Sequence, residues 1–402
     1  MADDIYVVDQ LVTGTETITL TDDGSGSDTF VVLGVYASTV EINLAWTSDL
    51  GFPTSAESLY FNPTGIGHRL IVNGVIENAI GSNGQDFIQG NSLANRLYGD
   101  AASGGAGLSD TIWAGSGNDT VFGGSGSDGI QGDGEDDRLF GNAGNDTING
   151  GAGADTVEGG LGADVMAGGS NPGDTLSYSA SGVGVQVLLE FGAATTGAGG
   201  DAAGDQIHGF FNVIGSNRND RIEDLGKGTL AFGYSDNVFT GRDGSDRLIL
   251  GGGNDQGYGG RGNDILSGEV GDDALYGGSG NDVLHSGRGQ DTCTGGGGAD
   301  RFVFKTASDS TVQLAQRDTI TDFSTAQHDI IDLSALDAES GVAGNQAFHL
   351  ITTGFTGDKG ELRARVSGND LIVIGDINGD GTADFAILLQ GVAAITAADF
   401  AL

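Results

Sequence analysis

"GNAGNDTINGGAGADTVEGGLGADVMAGG" spans Gly141 to Gly169. An aspartate recurs every ninth residue, at Asp146, Asp155 and Asp164. Each follows a glycine-rich stretch, and two places after it stands an apolar residue: Ile148, Val157, Met166. The whole chain has 402 residues, 76 of them glycine, and glycine loses the most backbone entropy on folding. Yet 38% of residues are hydrophobic, which is not a disordered composition. Asp and Glu number 56 against 16 Lys and Arg, a formal net charge of −40. Such self-repulsion opposes a compact state. Nucleic acid is excluded as an expected partner, because phosphate contacts need basic residues. Cations are expected instead.

The nine-residue period runs far beyond the opening stretch. Asp110, Asp119, Asp128, Asp137, Asp146, Asp155 and Asp164 form one ladder; Asp246, Asp255, Asp264, Asp273, Asp282, Asp291 and Asp300 form a second. Around each the text is close to G-G-x-G-x-D-x-U-x with U apolar, as in "GGAGADTVE" (150–158), "GGRGNDILS" (259–267) and "GGSGNDVLH" (277–285). This is the nonapeptide of RTX calcium-binding proteins, and the chain resembles that family. A longer repeat overlies it: "IENAIGSNGQDFI" (76–88) matches "FNVIGSNRNDRI" (211–222). Alternating apolar text in "STVEINLAW" (38–46) and "VGVQVLLEF" (183–191) predicts strands that continue or cap a neighbouring roll.

The expected fold is all-β: a parallel β-roll solenoid with strand-rich capping segments, right-handed by the family resemblance. The organisation reads as an N-terminal strand segment or cap (1–80), a first roll (81–173), strand-rich connecting coils (174–214), a second roll (215–304) and a C-terminal β cap (305–402). The six-residue G-G-x-G-x-D part is expected to turn and x-U-x to form a short strand. Two nonapeptides close one coil, so residues 18 apart stack at the sheet spacing of about 4.8 Å. Asp128 then lies over Asp146, and Asp119 over Asp137. Carboxylates that close repel unless a cation lies between them. Calcium suits such a gap, because it takes six to eight oxygens and tolerates irregular geometry, where magnesium demands a tight octahedron. Backbone carbonyls complete the expected shell. Stacked pairs along the two ladders give about ten Ca2+ sites, adding about +20 to the formal charge. The six-residue excess in "GDAASGGAGLSDTIW" (99–113) and the extra residue near Pro172 are expected to interrupt the stacking. A loop, "DINGDGTAD" (376–384), offers Asp376, Asn378, Asp380 and Asp384 as a further cation site, with an Asx-rich hairpin turn as the alternative.

No enzyme motif emerges. H-E-x-x-H and G-x-S-x-G are absent, and His68, His208, His285, His328 and His349 are scattered. Cys293, the only cysteine, takes a U position and is expected to be buried rather than nucleophilic. Aromatic residues close several repeats: Trp113, Phe122, Phe140, Tyr258 and Tyr276. Phe122 with Phe140, and Tyr258 with Tyr276, are expected to stack on one outer face. That face could grip a glycan or cell-surface partner, or pack under another part of the chain. "MADDIYVVDQ" lacks the features of a signal peptide, and no apolar run is long enough to be a transmembrane helix. The region after Asp300 resembles the C-terminal segment of serralysin-type metalloproteases, without a protease domain, and ends in Asp399, Phe400, Ala401 and Leu402. That resemblance implies a type I secretion signal and an extracellular location. The expected function is a secreted calcium-binding roll that folds outside the cell. An adhesion or matrix protein is the second reading, and an accessory or cryptic part of a polysaccharide-active enzyme or protease the third.

Overall fold

The computed structural model describes residues 78–81, 84–100, 107–169, 171–190, 193–225, 235–339 and 345–402, with the strands Ile5–Val8, Thr17–Ile18, Thr29–Val32, Glu41–Asn43, Ser58–Phe61 and Arg69–Ile71. His68 lies outside the described residues. Among them there is no α-helix, only strands and three 3-10 turns. The chain divides into two compact units: Met1–Tyr178 with Gly192–Asn212, and Ser179–Phe191 with Val213–Leu402.

In the first unit the chain alternates between two parallel sheets. One gains a strand in each coil from Ile5–Val8 through Arg96–Tyr98, Thr120–Ser125 and Arg138–Ala143 to Thr156–Leu161 and Thr175–Ser177. The other runs from Thr17–Ile18 and Glu41–Asn43 through Thr111–Ser116, Gly129–Gly134 and Thr147–Ala152 to Val165–Gly169 and Gln206–His208. Glu41–Asn43, from the predicted strand text at 38–46, thus lies in the same parallel stack.

The second unit repeats the plan. One sheet stacks Gln186–Leu189, Arg221–Asp224, Arg247–Ile249, Ile265–Val270, Val283–Arg288, Arg301–Val303, Ile330–Asp332 and Phe400–Ala401. The other stacks Val238–Asp243, Gln256–Arg261, Ala274–Ser279, Thr292–Gly297 and Thr319–Ile320, then turns antiparallel through Phe385–Leu389, Asp370–Asp376 and Glu361–Ser367. The last residues are therefore built in: Thr396 and Asp399 close a capping box before the final strand.

The apolar U positions are the core. Ile112, Ile130 and Leu139 are fully buried, as are Val121 and Val157. Cys293 sits in the same row, and burial pushes its thiol up. Gly257 takes a U position with no side chain to offer, and Leu250 fills the place: a Cβ on Gly257 would lie 3.2 Å from Leu250 Cδ1. Strand length departs from expectation. Strands such as Thr147–Ala152 have six residues, not three. Turn residues of successive coils stay in register, with Gly151 opposite Asp133, so the pairing continues into the glycines. Each nonapeptide buries one side chain, for about 1.5–3 kcal/mol, against about 0.5–1 kcal/mol for each glycine. With three glycines the two nearly cancel, so the roll needs another source of stability.

In calcium-loaded protein, Ile130→Ala should lower stability by about 2–5 kcal/mol, read by denaturant unfolding. Thr120→Ala, on the outer face, should change it by less than about 0.5 kcal/mol.

Candidate metal centre

The ladder aspartates stand where strand meets turn, and all are 2% exposed or less. Each carboxylate divides its two oxygens between two tasks. Oδ1 accepts the backbone N–H of the ladder residue one coil earlier: Asp110 N to Asp128 Oδ1 is 2.7 Å, Asp128 to Asp146 2.7 Å, and Asp146 to Asp164 2.8 Å. The second unit repeats this from Asp246 to Asp264, Asp264 to Asp282 and Asp282 to Asp300. Oδ2 of all fourteen ladder aspartates, from Asp110 to Asp164 and from Asp246 to Asp300, is buried and accepts no hydrogen bond from the protein. A buried, unpaired carboxylate oxygen costs several kcal/mol unless it meets a cation or a proton.

A carbonyl oxygen lies beside several of these orphans. The Cβ that Gly123 lacks would lie 2.6 Å from Asp128 Oδ2 and 2.8 Å from Gly141 O. Glycine at the first position keeps that space open in most repeats, while Ala114, Leu250 and Ser286 stand there before Asp119, Asp255 and Asp291. At the third position Gly144 and Gly153 have φ of 143° and 138°, and Glu135 takes 68°. The second position admits Asp133, Asn142, Arg242 and Glu269, at φ near 70–80°. Among the described residues no three His, Cys, Asp or Glu side chains converge on one point. A cation here would draw on carboxylates from the ladder and on backbone carbonyls. Hard oxygens in that mixture fit calcium.

Asp174, Asp205, Asp220, Asp318 and Asp329 also continue the ladders, and their Oδ2 atoms are paired. Oδ2 accepts from the Asn171 amide in Asp174, the Tyr178 hydroxyl in Asp205, the Ser216 amide in Asp220, the Ser286 hydroxyl in Asp318 and the Ser324 amide in Asp329. Their irregular spacing hides them from a nine-residue search. A second row also escaped the sequence reading. Side chains just before many of the ladder Asp residues accept from the coil after, as in Ala163 N to Asn145 Oδ1 at 2.9 Å and Asn281 N to Asn263 Oδ1 at 2.7 Å. The recurring Asn, Ser or Asp at that position is its signal.

The expected interruptions do not occur. Asp86 N donates to Asp110 Oδ1 across 24 residues, and Asp155 N to Asp174 Oδ1 across 19. Extra residues are accommodated without shifting the ladder register; 101–106 lie outside the described residues. Asn95 takes a ladder position, with its amide on Asp119 Oδ1.

In the 376–384 loop the side-chain oxygens accept bonds from the loop itself. Asp376 takes the Gly379 and Gly381 amides, Asp384 takes those of Ile377 and Asn378, and Asn378 takes the Asp380 amide. This is the geometry of an Asx-rich hairpin turn.

The aromatic pairs stack as expected, at 4.9 Å for Phe122 with Phe140 and for Tyr258 with Tyr276. Tyr98, which the nine-residue spacing missed, stacks on the other side of Phe122. Both faces of Phe122 are thus covered by neighbouring rings. Trp113 instead meets Phe87 edge-on.

Burial raises the ladder carboxyls above their ordinary range. It is opposed by the amide bonds and reinforced by neighbouring charges. Asp110 reaches about 9, Asp137 and Asp273 about 8, and Asp119, Asp146, Asp246 and Asp282 about 7.

With this geometry in hand, the comparisons fall into place. The RTX calcium-binding nonapeptide repeat model (4 copies) matches residues 80–103, 102–130, 131–166, 233–266 and 267–302. The chain thus carries RTX calcium-binding nonapeptide repeats over these residues, in a parallel β-roll. Two solution structures from the Azotobacter vinelandii mannuronan C5-epimerase are similar to it. The AlgE6R3 subunit is 32% identical, over 35% of this chain and 73% of its own, with a TM-score of 0.26. The AlgE6R2 subunit is 25% identical, over 47% and 91%, with a TM-score of 0.23. No curated protein matches the chain.

A raised folded pKa means that protonation stabilises the metal-free roll. That contribution is complete below the ordinary carboxylate range and is lost as pH rises through about 6 to 9. With chelator present, far-UV CD should therefore show more β structure at pH 5 than at pH 8. Calcium should reverse the order, its midpoint concentration falling as pH rises. Asp146→Asn should raise that midpoint. Asp205→Asn, whose partner is Tyr178, should leave it in place.

Proposed function

We propose that this RTX-repeat protein is secreted as an unfolded chain and folds outside the cell on binding about ten calcium ions. The fourteen orphaned Oδ2 atoms carry this reading. They mark where the fold is incomplete without positive charge, and they coincide with the fourteen aspartates of the repeat. The formal charge of −40 keeps the chain extended where calcium is scarce. Calcium affinities of the order of 10⁻⁴–10⁻³ M would suit an extracellular module. Folding would then wait for export and oppose back-sliding. Export through a type I system, directed by the C-terminal region, completes the proposal. It rests on that region's resemblance to the end of serralysin-type proteases.

Calcium titration of chelated protein, followed by CD and sedimentation, tests the coupling. Cooperative gain of β signal with a fall in hydrodynamic radius is expected. An unchanged CD spectrum would refute folding on binding. Deletion of the last ~50 residues should leave the chain in the cytoplasm, read by immunoblot of medium and cells; normal secretion would overturn the export assignment.

A further inference from the structure

We propose that the outer face of the second unit carries an esterase-type site, with Ser267 as nucleophile, His285 as general base and Asp309 as positioning residue. The 18-residue coil makes the arrangement. Ser267 and His285 are 18 residues apart in sequence but directly paired in adjacent strands; alternation with the core residues Leu266 and Leu284 turns both off the core, with Ser267 8% exposed. Ser267 Oγ lies 3.2 Å from His285 Nδ1, and His285 Nε2 lies 3.4 Å from Asp309 Oδ2.

Lys305 fixes the tautomer. Its ammonium stands 3.2 Å from the same Nδ1, and an ammonium can only donate. Nδ1 therefore holds the lone pair, and Nε2 carries the hydrogen and gives it to Asp309. Nδ1 presents its one lone pair to both the Lys305 ammonium and the Ser267 hydroxyl, and it takes the hydroxyl proton once Lys305 has shifted to the substrate. Asp309 is itself held in place by the amides of Lys305 and Thr306 and by the Thr306 hydroxyl. The Ser267 hydroxyl lies 2.7 Å from Glu269 Oε1 as well. Rotation of its proton about Cβ–Oγ redirects it to Nδ1.

Ser267 and His285 line a cleft of about 160 Å³, with Ile249, Ile265, Val283 and Val303 as apolar lining and Arg247, Glu269 and Lys305 as charged lining; Asp309 stands behind His285, outside the cleft. This volume and lining fit an ester with a short aliphatic acyl group. Ser267 Oγ bonds to the acyl carbon as its proton passes to Nδ1. The imidazolium returns that proton to the leaving oxygen as the ester C–O bond breaks. Water then attacks the acyl-serine, losing its proton to Nδ1, and the proton returns to Oγ as the serine departs. The Lys305 ammonium supplies positive charge beside the oxyanion formed in each half. Substrate oxidation state does not change, and no cofactor is consumed.

The full chain, folded in millimolar calcium, should hydrolyse p-nitrophenyl acetate and butyrate, and a fluorophosphonate probe should label Ser267, located by peptide mass spectrometry. Ser267→Ala should abolish both with the CD spectrum unchanged. His285→Gln should lower kcat at least about 100-fold. Asp309→Asn should lower kcat by at least about 10-fold with KM little changed; a merely structural role would not split kcat from KM in this way. Lys305→Met should lower kcat more than it changes KM. No hydrolysis above buffer and no label at Ser267, in protein with a native CD spectrum, would overturn the proposal. So would activity that survives Ser267→Ala.

Discussion

The rest of the structure depends on one carboxylate with two unequal oxygens. In each ladder aspartate, Oδ1 ties the coil to the one before it through a backbone amide, and Oδ2 is left buried, in many of them beside a carbonyl. The first bond sets the register of the stack. The second oxygen makes that stack conditional, because a low-dielectric site cannot hold unpaired negative charge cheaply. Apolar burial and glycine entropy come close to cancelling within each repeat. The balance is left to whatever satisfies Oδ2. On the proposed reading, the demand for a cation or proton recurs with every nonapeptide of the two ladders, as suits a quasi-one-dimensional fold.

The period made much of this legible. Asp146 and Asp164 announce a coil of 18 residues, and Ile148 and Met166 announce a core row, because both follow from spacing alone. The fourteen aspartates chosen by period are the fourteen whose Oδ2 is orphaned. What spacing could not supply was the division of labour within a carboxylate, since Oδ1 and Oδ2 are equivalent in sequence. Nor could it find Asp174, Asp205, Asp220, Asp318 and Asp329. These sit at the margins, where coils lengthen, and side-chain or loop donors there take over the cation's task. The excess near 99–113 looked like a fault in the stack. Register is held by amide bonds to Asp, and these are indifferent to the length of chain between coils.

The same blindness hid the Ser267–His285 pair. A linear search for catalytic motifs looks for neighbours in sequence or for short local signatures. In a solenoid each outward position has its true neighbour one coil away. Chemistry on this surface is written in columns, with a letter every 18 residues.

The two side-chain rows that bracket each turn point in opposite directions. Asn145 and its counterparts reach toward the coil that follows, while each ladder Asp reaches back to the coil before. The roll therefore has a polarity. A coil's ladder amide is completed only when the next coil is in place. A coil's turn amide is likewise completed only by the coil before it. A break between any two coils therefore strands unpaired donors on both new ends, ladder amides on one and turn amides on the other.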